Sequence, residues 1–299
     1  MSSGNKFKND MLLTSSPLHA KLTSRIHQDL IAGTLIVPSL PEIVTRINQA
    51  INDPKKGLSQ VSRIIQADPA IAGRLIQICN SPSYRRGGAI DNCVTAVMQL
   101  GLEVTRNIIT CLALHNVFNA STRHTRSLLQ DIWRRSAYIG AISYLLGKMI
   151  PGLEENKAML AGLIHDIGFL PVFHYANELD LALDKNIFKN EEIVQLSGQV
   201  GRAILLAWKF PDEILDVPVH AHSWLRDAGQ DTDYADVVIV ARAHECLLEK
   251  RDCQMPPILD IPAFKNMSLS SLGPDASLEL ITAAREDIQH MVAALMSPM

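Results

Sequence analysis

The chain has 299 residues, of which 47% are hydrophobic and 20% charged, so it can bury a sizeable core in one large domain or two modest ones. A formal net charge of −3 sets up no global field that would draw nucleic acid or an anionic membrane surface. Five cysteines (Cys79, Cys93, Cys111, Cys246 and Cys253) are scattered, odd in number and without a C-x-x-C pair; that argues against a disulfide framework and a zinc knuckle and fits a reducing compartment.

Residues 1–20 read as a polar, frayed start with no long apolar run, so no signal peptide is expected. The most membrane-like stretch, Ser136 to Ile150, is too short to span a bilayer and contains Lys148. A cytoplasmic protein of bacterial type is the expectation. A first helix is predicted over Lys21 to Ala32, ending near Gly33. Pro38 and Pro41 forbid a helix across the next segment, while Pro41 suits the first turn of a helix that turns Ile43, Val44, Ile47 and Ile51 inward. Ser59 is the candidate cap of a third helix with Val61, Ile64 and Ile65 inward. Asp68-Pro69 is a cap followed by a proline at the first helical position, ahead of Ile71, Leu75 and Ile78. Asp91 or Asn92 caps the helix through Val94, Val97 and Met98, which ends by Gly101; a long apolar helix then runs from Leu102 towards Phe118.

Ser121 to Arg126 is polar and is the predicted seam between two helical lobes, residues 1–125 and 126–299. Beyond it come a helix over Leu128 to Met149, an amphipathic one over Phe173 to Phe188 and another over Glu191 to Phe210. A short piece covers Glu213 to Trp224. Tyr234 to Lys250 is read as a helix, although Val237-Val238-Ile239-Val240 alone would suit a strand. Cys253 to Pro274 should wander over the surface, and Ser277 to Met296 closes the chain as an amphipathic helix. The fold class predicted is all-α.

The chemistry gathers in Ala158 to Ala176, AMLAGLIHDIGFLPVFHYA. Leu160, Leu163, Ile164 and Ile167 recur at helical spacing, and into this apolar run the chain sets His165 and Asp166. A carboxylate in such surroundings needs a metal, a cation or several hydrogen-bond donors. Gly168 and Pro171 interrupt the helix or tighten a turn.

Several segments together resemble the HDOD family, the HD-related output domains of bacterial signalling proteins. In the front lobe they are Pro38-Ser39-Leu40-Pro41, Asn52-Asp53-Pro54, Asp68-Pro69, Asn80-Ser81 and Leu100-Gly101-Leu102. In the second they are Trp133, Gly162-Leu163-Ile164-His165-Asp166-Ile167-Gly168, Val200-Gly201, Trp208 and Pro211. The resemblance covers about residues 30–250 and implies a second lobe built like an HD phosphohydrolase. Active members of that wider superfamily hold divalent metals with a first His, the His-Asp doublet, sometimes further histidines, and a last Asp. The doublet falls on His165 and Asp166. The upstream His position carries Arg135, Ser197 stands ahead of Gly201, a His-His pair becomes Ala221-His222 with His220 nearby, and the last Asp is replaced by His244.

A guanidinium cannot ligate a metal and would repel one, but it can neutralise Asp166. An Arg135–Asp166 ion pair in place of a metal is therefore one expectation. The other is a remnant site of His165, Asp166 and His222, with His220 or His244 as an optional further ligand, whose ligand types suit zinc, manganese, iron or nickel. The first makes the protein a signalling module that binds a partner protein or a small nucleotide without turnover and needs no cofactor. The second makes it a metal-dependent phosphohydrolase acting on a nucleotide or cyclic dinucleotide. No membrane is expected among its partners, and the acidic balance speaks against nucleic acid. Cys79, Cys93 and Cys111 read as core residues, and Arg85-Arg86 and Arg123-His124-Arg126 as solvated loop faces.

Overall fold

The computed structural model describes residues 17–119, 125–181, 183–229, 231–251, 253–267 and 273–296. Helices dominate these residues and no strand occurs among them. The front half holds α1 (Pro17–Ala32), α2 (Glu42–Ile51), α3 (Leu58–Gln66), α4 (Pro69–Cys79), α5 (Cys93–Leu100) and α6 (Leu102–Asn119). Then follow α7 (Arg126–Met149), α8 (Glu155–Ile164), α9 (Phe169–Glu178), α10 (Glu191–Ala207), the short α11 (Asp212–Leu215) and α12 (Val217–His220), and α13 (Tyr234–Leu248). The chain closes with α14 (Pro262–Asn266), α15 (Gly273–Ala283) and α16 (Arg285–Met296), and single 3-10 turns lie at Lys185–Lys189 and Ile258–Asp260.

In the front half the boundaries are set locally. The Asp68 carboxylate accepts from the N–H groups of Ala70 and Ile71, both at 3.1 Å, with Pro69 opening α4. Asn92 caps α5 by accepting from Thr95 at 2.9 Å. Gly101, at φ +79°, then turns the chain so that α6 leaves α5 at 117°. Gly57, not Ser59, occupies the cap position of α3, and no side chain closes that end.

Other expectations change. Phe173 to Phe188 is not one helix: α9 stops at Glu178, and Asp180 in a left-handed conformation turns the chain away. Val237 to Val240 is helical because all four side chains are wholly buried, and a helix apolar on every side suits a core position. The segment after Cys253 does not simply wander, since Phe264 and Met267 are buried. The closing helix is divided into α15 and α16. The most apolar long segment is Glu155–Glu178 rather than Ser136 to Ile150, and 89% of its most apolar window is buried inside the fold. The polar residues 1–16 and Ser121 to His124 of the seam, with Arg123, lie outside the described residues.

One cysteine expectation is overturned. Cys79, Cys93 and Cys111 are buried and free, but Cys246 and Cys253 form a disulfide. The cause is local: Lys250 is left-handed at φ +51° and the Arg251 N–H bonds the Cys246 carbonyl at 3.0 Å, so the chain doubles back on the end of α13.

The crossing of α7 on α8 is central. A Cβ on Gly162 would lie 2.7 Å from the Gly140 Cα, so these helices meet backbone to backbone. Helix α13 lies against both, α10 packs on α9 and α12, and α16 returns to α4, α6 and α7. Hydrogen bonds tie the front half to the rest, including Trp208 Nε1 to the Pro38 carbonyl at 2.9 Å and the Tyr175 hydroxyl to Asp29 at 2.8 Å.

Candidate functional site

The His165-Asp166 doublet sits just past the end of α8, in a tight turn rather than inside a helix. Ile167 N–H bonds the Ile164 carbonyl at 3.0 Å and Phe169 N–H bonds the Asp166 carbonyl at 3.1 Å. Gly168 makes this turn possible: a Cβ there would stand 1.7 Å from the Ser197 carbonyl oxygen and 2.7 Å from the Gly201 nitrogen of α10. Position 197 is thereby given to a backbone approach, and the Ser197 hydroxyl bonds back to the Val194 carbonyl at 2.8 Å.

Asp166 is fully buried, and three helical segments deliver polar groups to it. From α7, Arg135 Nη2 donates to Oδ2. From the turn after α12, His222 Nε2 donates to Oδ1 at 2.6 Å. His165 Nε2 stands 3.3 Å from Oδ2. Burial pushes the Asp166 carboxyl up, but His165, Arg135 and His222 around it more than reverse that and hold it well below the ordinary carboxylate range. The Arg135 guanidinium also stacks over Phe188, 5.1 Å from the ring centroid, while its Nε is buried without a hydrogen-bond partner.

A second arginine completes the arrangement. Arg242 of α13 donates from Nη1 to the Ala221 carbonyl, faces His222 Nδ1 from Nη2 at 3.1 Å and lies 4.5 Å over the Trp224 ring. Burial lowers the Arg242 pKa to about 10, which leaves it charged at neutral pH. The same burial, reinforced by Arg242, pushes His222 down to about 4, against the pull of Asp166. His222 is therefore neutral at neutral pH.

The two histidines carry their protons differently. A carbonyl oxygen only accepts, so His165 Nδ1, 2.7 Å from the Gly162 carbonyl, is the protonated nitrogen. Its Nε2 faces the Asp166 carboxylate at 3.3 Å. His222 is the reverse. A guanidinium only donates, so Nδ1 accepts and the ring proton sits on Nε2, where it is given to Asp166.

Of the residues singled out in the sequence, His165, Asp166, His222 and Arg135 thus come together. His220 and His244 do not join them: His244 is buried with Nδ1 on the Val240 carbonyl at 2.9 Å, and neither belongs to the cluster. Arg242 is the residue that sequence reasoning missed. Its signal was a lone cation inside Val237 to Cys246, a run whose other members are otherwise nearly all buried.

His165, Asp166 and His222 can each offer one ligand atom, all within 4.8 Å of one another, a grouping that suggests a divalent metal site. The donors suit such an ion in kind but not in their present state. Both Asp166 oxygens are engaged, one by a permanent cation, and Arg242 fixes His222 in the tautomer whose Nε2 has no free lone pair. As arranged, these residues do not fit a metal.

Above the cluster opens a cavity of about 400 Å³, whose wall includes Arg135, His222, Arg242 and Phe188.

The HDOD domain family matches residues 37–224. In overall structure the chain is similar to the crystal structure of a "putative metal-dependent phosphohydrolase" from Shewanella amazonensis SB2B, with 26% identity, a TM-score of 0.77, and coverage of 94% of this chain and all of that one. It shares its fold with an HDOD domain protein of unknown function from Geobacter sulfurreducens at 20% identity and a TM-score of 0.64, covering 94% of this chain and 100% of that one. An uncharacterised protein of Treponema pallidum (strain Nichols) is 20% identical over 194 residues, 60% of this chain, and the chain spans about a third of that relative's length, 36%.

Proposed function

This chain belongs to the HDOD family and has the HD-phosphohydrolase-like helical fold, and we propose that it works as a signalling module that binds and does not turn over. The observation that carries this reading is the Arg135 guanidinium on Asp166, which engages a carboxylate oxygen that a metal would need free. The proton on His222 Nε2 supports it from the other side. Partner protein and small ligand are both open to such a module, and its place of action is expected to be the cytoplasm.

The test is direct. Untagged protein incubated with manganese and bis(p-nitrophenyl) phosphate is expected to release no nitrophenol above the Asp166→Ala background, and metal analysis of the same protein is expected to find no stoichiometric ion. Hydrolysis that Asp166→Ala abolishes would sink the reading. The competing reading, a metal-dependent phosphohydrolase, draws on one specific observation: His165, Asp166 and His222 bring atoms of metal-ligating type within 4.8 Å of one another.

A further inference from the structure

The residues that carry the family resemblance do not all serve Asp166. Pro38, Ser39, Leu40, Asn52, Trp208 and Pro211 meet instead around a second cavity, of about 790 Å³, between α2, α6 and the end of α10. It runs from the exposed Thr45 and Gln49 down to the buried Asn107 and Leu160. Among the described lining residues none is acidic; Arg106 is held by Glu103, and Lys209 is exposed. Asn107 of α6 is only 6% exposed, and its carboxamide is bonded to no described residue. In the same cavity Asn48 Oδ1 is buried without a hydrogen-bond partner. A carboxamide so placed holds a donor and an acceptor in reserve, and leaving them unpaired costs free energy until a ligand supplies both.

The spacing of the polar groups says what kind of ligand. Thr45, Asn48, Gln49 and Asn52 stand at i, i+3, i+4 and i+7, so α2 gives the cavity one uncharged polar face. Residues four apart rise about 6 Å along a helix, and an extended chain repeats its same-side groups about every 6.6–6.8 Å. The two repeats nearly coincide, whereas a helical ligand would spend its amides on its own hydrogen bonds. Trp208 and Phe210, with ring centroids 5.9 Å apart, supply the apolar part of the wall.

We infer that this cavity binds an extended, uncharged segment of a partner protein, whose backbone amides pair with the carboxamides of Asn107, Asn48 and Gln49 and whose apolar side chains rest on Trp208 and Phe210. The assignment goes beyond the reading of the Asp166 site and holds whether or not that site turns over, since the two cavities share no described lining residue.

The experiment selects short random peptides displayed on phage against the full chain, then titrates the selected sequences, made with acetylated and amidated ends, by fluorescence polarisation. The selected peptides are expected to be uncharged through their core and to bind about tenfold more weakly when one of the engaged backbone nitrogens is methylated. Gln49→Ala and Asn107→Leu should each weaken binding about tenfold. Removing an unpaired buried amide should leave the melting temperature of Asn107→Leu unchanged or raised, where loss of a structural residue would lower it. Gln49→Ala, at an exposed position, carries the test should Asn107→Leu fail to fold. No peptide enriched above background, binding that neither variant weakens, or binding indifferent to methylation overturns the assignment. A peptide helical when bound, by circular dichroism, overturns it too, as does a dimer in sedimentation equilibrium that Gln49→Ala dissociates, which would give the cavity to a second copy of this chain.

Discussion

Helices α2 to α5 and the surroundings of Asp166 are built by different rules. In the first, chain breaks coincide with residues that cause them alone: Asp68 with Pro69, Asn92, and Gly101. Around Asp166, what fixes the chain lies far off in sequence. Gly168 is required by the Ser197 carbonyl, Gly162 by Gly140, and the buried charge by Arg135, 31 residues away. A local signal survives transplantation and tolerates replacement at modest cost. A tertiary one fails as a unit when any member is altered.

Glycine substitutions sharpen this contrast most. Gly168→Ala forces a methyl group into backbone atoms that cannot yield, and is expected to leave no folded protein or to cost more than about 4 kcal/mol in urea unfolding. Gly73→Ala, exposed in α4 with nothing within 4 Å of the new Cβ, should instead stabilise by about 0.5–1 kcal/mol. Equal effects at the two positions would erase the distinction.

Next in size is the charge cluster. Arg135→Ala strands a buried carboxylate and should cost about 3–5 kcal/mol, much of it recovered in the Arg135→Ala/Asp166→Asn double variant. Additive losses would mean that the two side chains are not coupled. Asp68→Ala removes one cap and should cost about 1 kcal/mol by denaturant titration.

The smallest expected effect is one of pH. His115 in the front half and His244 behind are both pushed down by burial, so the unfolded chain takes up protons at a higher pH than the folded one. Stability is then full above the ordinary imidazole value of about 6.5 and falls as pH drops from there towards the folded values. His244→Gln should flatten that decline in melting temperatures between pH 7 and 5. A variant that tracks the unaltered protein would place the pH dependence elsewhere.

This split also decides what could be read in the sequence. The all-helical class, the Asp68-Pro69 cap, a cap at Asp91 or Asn92 and the inward faces of α2 to α4 follow from spacing and capping chemistry, which act within a few residues. The doublet stood out because a carboxylate in an apolar run needs partners. Arg242 did not, because its partner His222 is 20 residues away across a turn. Gly168 reads as a residue that interrupts the helix or tightens a turn, and it does sit in a turn, but what demands a glycine there is the backbone of α10, which local spacing does not show. The Cys246–Cys253 bond escaped notice because it depends on Lys250 adopting a left-handed conformation, for which its residue type gives no hint.

The hydrogen bond from Trp208 to the Pro38 carbonyl has a mechanical consequence. With Tyr175 holding Asp29 and α16 reaching back to α4 and α6, the front helices and the charged cavity are stitched at opposite ends of the chain. Severing the polypeptide near residue 125 would strand the indole donor and strip α16 of its seat, so neither fragment should keep its shape by itself.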